Sequence, residues 1–371
     1  MGKQNGEQGD SVSQVKPGQV VVFGSGEISP SGRKVHARLF ETLSQPIQVA
    51  ILETPAGFQP NSQLVAEEVA EFIRHRLRNF HPRVAVVPAR KKGTAFSPDD
   101  PDIVAPILRA NYIFLGPGSP TYTARNLKGT LAWRCVLAAQ RRGAILALAS
   151  AAGIAAGAHA LPVYEIYKAG HDLHWTEGLD FFGEYGLELV IVPHWNNTDG
   201  GEKLDTSCCY MGRQRMDRLE KLLPDTATLV GLDEHTAIIF DFNTATCEVL
   251  GKSAVSIRSG GSEKVFQAGA TFSMELLGDL CIPPVTTEDL PEEAPEPRAE
   301  LAATLPAEVR ALILMRKEAR DARNWEKADR LRDRVSDLGY EIQDTTNGPR
   351  WRSSDTPAEW RTLDPADEQA N

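Results

Sequence analysis

A chain of 371 residues that is 42% hydrophobic has room for two or three domains around a sizeable core. Its formal net charge of −10 offers no global attraction to nucleic acid or an anionic membrane, and no apolar stretch is long enough to span a bilayer. The five cysteines (Cys135, Cys208, Cys209, Cys247, Cys281) are odd in number and lack C-x-x-C spacing, which argues against a disulfide framework or a metal site.

Residues 1–17 are polar and rich in Gly, Gln and Ser. Lacking the apolar middle of a secretion signal, they read as a disordered leader on a cytoplasmic protein. Residues 18–282 carry the pattern of one α/β domain. Gln19–Phe23 is the first strand; it ends in Gly24-Ser25-Gly26-Glu27, a tight turn without the third glycine of a dinucleotide fingerprint, and no cofactor is expected. Ile47–Leu52 is the second strand, followed by the turn Thr54-Pro55-Ala56-Gly57. Val65, Val69, Phe72, Ile73 and Leu77 space a helix over 64–80. Val84–Val87, Tyr112–Leu115 and Ala144–Leu148 are the next strands, the last preceded by a helix over 131–141. Such alternation builds a mainly parallel sheet covered on both faces, and ligands of such sheets sit at the carboxyl ends of strands. The turns Gly24-Ser25-Gly26 and Gly116-Pro117-Gly118 and the single residue Ser150 all fall at those ends, so they share one crevice.

Leu187–Val192 is a further strand. The short strands 229–232, 237–242, 248–250, 255–258 and 265–267 read as a meander closing the same domain. Residues 283–304, rich in Pro and acidic side chains, read as a linker. Residues 305–352 form a separate module. Leu305, Val309 and Leu312 space one helix, and Trp325, Ala328, Leu331, Val335 and Leu338 a second. A β-hairpin follows, Tyr340–Asp344 against Arg350–Arg352, around Asn347-Gly348. Residues 353–371 read as a polar, loose tail.

The run from Gly143 to Gly157 ends a buried strand at one hydroxyl, Ser150, and continues through small residues into a helix. A serine at a sharp strand-to-helix turn projects its hydroxyl above the sheet, the geometry of a nucleophile elbow. Such a serine needs a base. Of eight histidines, His194 directly follows the strand 187–192, at the crevice end, and His235 lies at another strand junction. A carboxylate must orient the imidazole, and Asp233 and Glu234 are equal candidates. An oxyanion needs two N–H groups: Ala151 is the candidate for one and Gly118, since Pro117 has none, for the other, the equal alternative being that Gly116-Pro117-Gly118 is only a glycine turn ending a strand.

The Gly-x-Gly turn after Phe114-Leu115, the Ser150-Ala151 elbow, Pro193-His194 and Asp233-Glu234-His235-Thr236-Ala237 together resemble the peptidase E and cyanophycinase family of serine hydrolases. The resemblance covers residues 18–269. It implies the class I glutamine-amidotransferase-like fold, a flavodoxin-like three-layer α/β sandwich. It also implies Ser150 as nucleophile, His194 as base, Glu234 as carboxylate, and a small peptide or amide as substrate. The family elbow reads Gly-x-Ser-Ala-Gly-Ala, where this chain has Leu148-Ala149-Ser150-Ala151-Ala152-Gly153. Cβ atoms in place of two glycines predict strain or a changed turn. Two readings follow: a serine peptidase or amidase weakened at its elbow, or a non-catalytic scaffold of the same fold.

The segment from Arg316-Lys317-Glu318-Ala319-Arg320 through Arg323-Asn324-Trp325-Glu326-Lys327-Ala328-Asp329 and Leu338-Gly339-Tyr340 to Gly348-Pro349-Arg350-Trp351-Arg352 resembles the C-terminal end of cysteinyl-tRNA synthetases. In those enzymes this end lies on the anticodon side, so the resemblance implies contact with tRNA or protein. Residues 308–334 hold nine Lys/Arg against six Asp/Glu, a mild basic excess. Within it, Arg316, Arg320, Arg323, Lys327 and Arg330 are the candidate phosphate contacts. The alternative for each is a solvated, salt-bridged helix face. No HIGH or KMSKS signature occurs in the chain, so synthetase catalysis is not expected.

Overall fold

In the computed structural model, which describes residues 16–283, 305, 307–345, 348–353 and 360–363, strand and helix alternate through the first half of the chain. The order is β1 (Val20–Phe23), α1 (Pro30–Phe40), β2 (Gln48–Leu52), α2 (Ser62–Arg76), β3 (Arg83–Val87), α3 (Pro101–Arg109), β4 (Tyr112–Leu115), α4 (Pro120–Leu127), α5 (Leu131–Arg141), β5 (Ile145–Ala149) and α6 (Ala151–Ala156). Alternate residues of a strand point to opposite faces, and here both faces are apolar. Val20, Val22, Ala50, Leu52, Ile113, Leu115, Leu146 and Leu148 join one core, with residues of α3 to α6. Val21, Phe23, Val49, Ile51, Tyr112, Phe114, Ile145 and Ala147 join another, with residues of α1 and α2. A sheet apolar on both faces must be covered on both, and the result is a three-layer sandwich.

The helices α3 and α4 are absent from the spacing-based expectation. Their starts are nevertheless marked by a capping side chain followed by proline. Asp100 Oδ1 accepts the Asp102 N–H beyond Pro101, and Ser119 Oγ accepts the Tyr122 N–H beyond Pro120.

The second half comprises β6 (His159–Ala160), α7 (Val163–Tyr167), β7 (Thr176–Glu177), β8 (Leu189–Val192), α8 (Arg213–Glu220), β9 (Thr228–Leu232), β10 (Thr236–Asp241), β11 (Thr246–Gly251), β12 (Ala254–Ser259), β13 (Ser262–Gln267) and β14 (Thr271–Ser273). The large sheet runs β14-β11-β10-β1-β5-β4-β2-β3. Strands β1 to β5 pair in parallel, and β10, β11 and β14 extend the sheet antiparallel. The stretch β3-β2-β4-β5 follows the 2-1-3-4 start of the flavodoxin-like order, and β1 fills the fifth place. Phe23 is thereby in register with Ala149 on one side and Ala237 on the other. The turns after β1 and β5 and the turn before β10 meet at one end of the sheet.

The expected single meander is divided between two sheets. Strands β9, β12 and β13 pair beside β8 in a four-stranded sheet, order β13-β12-β9-β8, with β8 and β9 parallel. Alternation marks the two faces of a strand but not its partner, so sequence alone does not separate these sheets. Ile191, Val230 and Leu232 pack into the main core, whereas Val190, Val192 and Leu229 pack with Trp195 on the far side.

The C-terminal module consists of α9 (Ala307–Asp321), α10 (Trp325–Asp337), β15 (Tyr340–Thr345), β16 (Gly348–Ser353) and β17 (Arg361–Thr362). Val309, Leu312, Leu331, Val335 and Trp351 form its core. Within the expected loose tail over 353–371 the structure differs at one point: β17 pairs Arg361 with Trp351, and Leu363 is buried, while residues 354–359 lie outside the described residues. The module packs α9 against α3 and β3, and Glu67 of α2 binds Arg74 of its own helix and Arg334 of α10. The expected leader up to residue 15, the linker over 284–304, Asn347 of the hairpin turn and the tail from 364 lie outside the described residues. Among the described residues no helix is long and apolar enough to cross a membrane.

Candidate active site

Strand β5 stops at Ala149 and α6 starts at Ala151, leaving Ser150 alone at the turn with φ +50° and ψ −111°. A non-glycine residue in such a region costs about 1–3 kcal/mol and persists only where its surroundings over-determine it. Here the Ser150 N–H donates to Phe23 O at 3.3 Å, and the Ile154 N–H donates to Ser150 O at 3.1 Å. Leu148 and Ala152, at the two positions where the family carries glycine, are buried in the main core, and neither has a positive φ. Their Cβ atoms are absorbed by packing, and the strain falls on Ser150 alone. At Gly153, by contrast, an added Cβ would stand 2.8 Å from Val22 Cγ1, so α6 can approach the sheet this closely only on glycine.

His194 follows β8 with φ +51°, another strained position. Its N–H donates to Gly24 O at 3.1 Å, and the Trp195 N–H donates to Leu232 O at 2.9 Å, which ties the turn to the ends of β1 and β9. Ser150 Oγ lies 3.0 Å from His194 Nε2, and His194 Nδ1 lies 3.1 Å from Glu234 Oε1. A carboxylate only accepts, so Nδ1 carries the proton and Nε2 is left to accept from the serine hydroxyl. The two acidic candidates are separated by geometry. Asp233 Oδ2 accepts from Ser253 Oγ at 2.6 Å and from the Ala254 N–H at 3.2 Å, turned away from the imidazole. His235 donates its N–H to Ser25 Oγ at 3.0 Å, and its ring covers Gly26.

Three features are given no role in the site by the sequence. Asn197, 3% exposed, donates Nδ2–H to Glu234 Oε1 at 3.0 Å, and Asn196 Oδ1 accepts the Glu234 N–H at 2.8 Å. Their only sequence signal is two amides directly after the Pro-His-Trp run. Glu27, on the turn after β1, is buried; burial raises its pKa, and a hydrogen bond to backbone offsets part of this. Cys208, Cys209 and Tyr210 all have positive φ, and the Cys208 and Cys209 N–H groups donate to Trp195 O and His194 O. Of the ten non-glycine residues with positive φ among those described, six are Ser150, His194, Cys208, Cys209, Tyr210 and His235. Backbone strain is therefore concentrated around Ser150, as at sites where geometry is held for function. The two cysteines do not compete as nucleophiles: burial pushes the Cys208 thiol up to about 11 and the Cys209 thiol up to about 12.

Ala151 opens α6, and the first N–H groups of a helix have no partner within it. Gly118 packs against the Pro55 carbonyl so closely that a Cβ would enter it, and the Ser119 N–H donates to that carbonyl at 3.0 Å. Because Leu115 pairs with Leu148, the Gly116-Pro117-Gly118 turn leaves β4 beside the turn at Ser150. Among the described residues no group of three or more His, Cys, Asp or Glu is placed to hold a metal ion.

The C-terminal basic residues are not equivalent. Arg316 is buried, and its guanidinium is held by Asp344 through two contacts of 2.6 and 2.8 Å, which corrects its assignment as a phosphate contact. Arg320 is shared between Asp344 at 3.4 Å and the ring of Trp325, and Arg330 pairs with Glu326 at 3.3 Å. Arg323 and Lys327 are exposed beside Trp325, which is itself 55% exposed.

Residues 302–352 match the family model of the cysteinyl-tRNA ligase anticodon binding domain. The C-terminal module is thus similar to a ligase domain. The cysteine–tRNA ligase of Symbiobacterium thermophilum is 34% identical over 119 residues, 32% of this chain and 21% of the ligase. That of Pseudomonas paraeruginosa is 33% identical over 175 residues, 45% of this chain and 37% of the ligase. The chain spans well under half the length of these relatives. A peptidase from an acI-B1 Actinobacterium superposes with a TM-score of 0.57 at 23% identity, covering 70% of this chain and 98% of that one. A putative peptidase E from Listeria monocytogenes EGD-e has a TM-score of 0.42 at 13% identity, over 68% of this chain and 100% of that one. The first superposition establishes a shared α/β fold, on which the ligase-like module is an addition.

Proposed function

We propose that residues 18–282 form a serine hydrolase, a peptidase or amidase acting on a small peptide or amide. The observation that carries this reading is the contact of Ser150 Oγ with His194 Nε2 at 3.0 Å, with Glu234 on the other ring nitrogen at 3.1 Å. In this reading His194 takes the Ser150 proton as the hydroxyl attacks the scissile carbonyl, and returns it to the leaving amine. Glu234 holds the tautomer and faces the imidazolium that forms. The N–H groups of Ala151 and Gly118 receive the oxyanion. Intact packing of Leu148 and Ala152 speaks against the weakened elbow expected from their Cβ atoms.

A fluorophosphonate probe tests this. Wild type is expected to take up one adduct at Ser150, located by peptide mass, with Ser150→Ala unlabelled and His194→Ala labelled at least about 100-fold more slowly. No adduct on folded wild-type protein leaves the scaffold reading.

A second reading concerns the C-terminal module, and the match of residues 302–352 favours it. It makes contact with tRNA through Arg323, Lys327 and the exposed Trp325 face, with Arg320 and Arg330 as secondary cations. Binding of unfractionated tRNA is expected to weaken in the Arg323→Glu, Lys327→Glu double variant and to fall with salt; equal affinity in both proteins removes this role.

A further inference from the structure

Among the described residues Asn197 is the one buried amide that touches the Ser150, His194, Glu234 set, and both of its ends are engaged. Its Oδ1 accepts the Asp199 N–H at 3.1 Å, which directs Nδ2 toward Glu234 Oε1 at 3.0 Å. That same carboxylate oxygen receives His194 Nδ1–H at 3.1 Å. An amide anchored through its oxygen cannot rotate to offer oxygen to the carboxylate, so it presents a fixed donor. The anchor is itself held from outside: Tyr210 donates its hydroxyl to Asp199 Oδ2 at 2.6 Å. That hydrogen bond pushes the Tyr210 hydroxyl up to about 12 and holds the Asp199 carboxyl below its usual range, so the donor and acceptor roles are fixed across neutral pH. Tyr210 is placed by the left-handed run Cys208–Tyr210, whose Cys209 N–H binds His194 O at 3.1 Å. The loop that carries the histidine and the loop that carries the tyrosine therefore close on each other around Glu234.

We propose that Asn197 is a positioning residue, holding Glu234 Oε1 against the His194 imidazole, with Asp199 and Tyr210 as the latch that fixes its amide. The proposal deepens the hydrolase reading and rests on it for its kinetic consequence, but its geometric content is independent of catalysis. One carboxylate oxygen shared by two donors has less freedom to leave the imidazole than one held by a single donor. Loss of a hydrogen bond to a charged group slows a step that depends on it by about 10- to 100-fold.

The experiment uses the full chain with ¹⁵N-labelled histidine, reading two signals: the fluorophosphonate inactivation rate, and the low-field proton resonance of His194 Nδ1–H, assigned by its loss in His194→Gln. Asn197→Ala is expected to lower the maximal inactivation rate about 10- to 100-fold with little change in probe affinity. In the same variant the Nδ1–H resonance is expected to shift upfield and broaden. Tyr210→Phe, which removes only the hydroxyl on Asp199, is expected to move both signals less and in the same direction. An unmoved resonance in folded Asn197→Ala, or labelling at the wild-type rate, overturns the proposal. Should wild type take up no adduct, the hydrolase reading fails and the resonance alone decides the role of Asn197. Should Asn197→Ala not fold, the resonance of Tyr210→Phe decides it, and an unmoved signal there overturns it.

Discussion

His36 shows how a residue outside the site is tied to it. Its ring is fully buried, with Nδ1 2.6 Å from the Tyr112 hydroxyl and Nε2 3.0 Å from Glu27 O. The backbone oxygen can only accept, so Nε2 carries the proton and the neutral ring takes the Tyr112 hydroxyl at Nδ1. Burial pushes the pKa from 6.5 down to about 4. A depressed histidine stabilises the fold above 6.5, where folded and unfolded forms are both neutral, and loses that contribution as pH falls toward about 4. The loss is about 3 kcal/mol for this group, from a shift of roughly two units or more. Urea unfolding at pH 6.5 and 4.5 should show it as a steep fall in stability for wild type. In His36→Gln, which starts lower, the slope should be shallower; equal slopes would exclude the histidine as its source. The added proton goes to Nδ1 and so disturbs the Tyr112 contact, while Nε2–H keeps donating to Glu27 O at the turn after β1.

At the scale of elements, the approach of α6 to β1 depends on Gly153. Gly153→Ala sets a Cβ against Val22 Cγ1 and must push the helix off the sheet, at about 1–3 kcal/mol. Ser150 sits in the turn that starts this helix, so the thermal midpoint and the probe labelling rate should fall together. A midpoint within about 1 °C of wild type would mean that the helix has room. The strands of the parallel sheet were legible because burial on both faces writes a nearly continuous apolar run, as in Val20–Phe23 and Tyr112–Leu115. The helices α3 and α4 were missed: their starts carry a cap and proline, Asp100-Pro101 and Ser119-Pro120, but their short spans, with Pro106 inside α3, hide the helical spacing. The division of β9 to β13 between two sheets was not legible, since pairing is set by partners far along the chain. Ser150 and His194 could be picked out as residue types at strand ends, whereas Glu234 was separated from Asp233 only by the resemblance to a known family. Asn197 and Glu27 could not, because an amide and a carboxylate in polar turns look like any others until the fold closes on them. Arg316 was misread for the converse reason: a charged residue at helical spacing gives no sign that Asp344 will bury it.

Across the whole molecule, the C-terminal module meets the α/β domain at an ionic seam. Glu308 of α9 lies there with Glu67, Glu53, Arg74 and Arg334. Burial raises its pKa from 4.5 to about 7, and the arginines only partly offset this. A carboxyl with a raised folded pKa stabilises the docked state most below 4.5, and that contribution is lost as pH rises through about 7. Limited proteolysis after residue 283 should thus release the module faster at pH 8 than at pH 6, and Glu308→Gln should abolish the difference. If Glu308→Gln keeps the same pH dependence, the seam titrates elsewhere.

The position of β1 bears on the order in which the chain can become competent. Val20 pairs with Leu146 on one side and with Phe240 on the other, so β1 must wait for strands far along the chain before its sheet is whole. Such distant pairings form late. Gly24 O, which anchors His194, and Phe23 O, which anchors Ser150, both lie at the end of that strand. A nascent chain lacking β10 therefore has Ser150 and His194 but leaves β1 paired on one side alone, and in the hydrolase reading its site is completed only once residue 241 has been made.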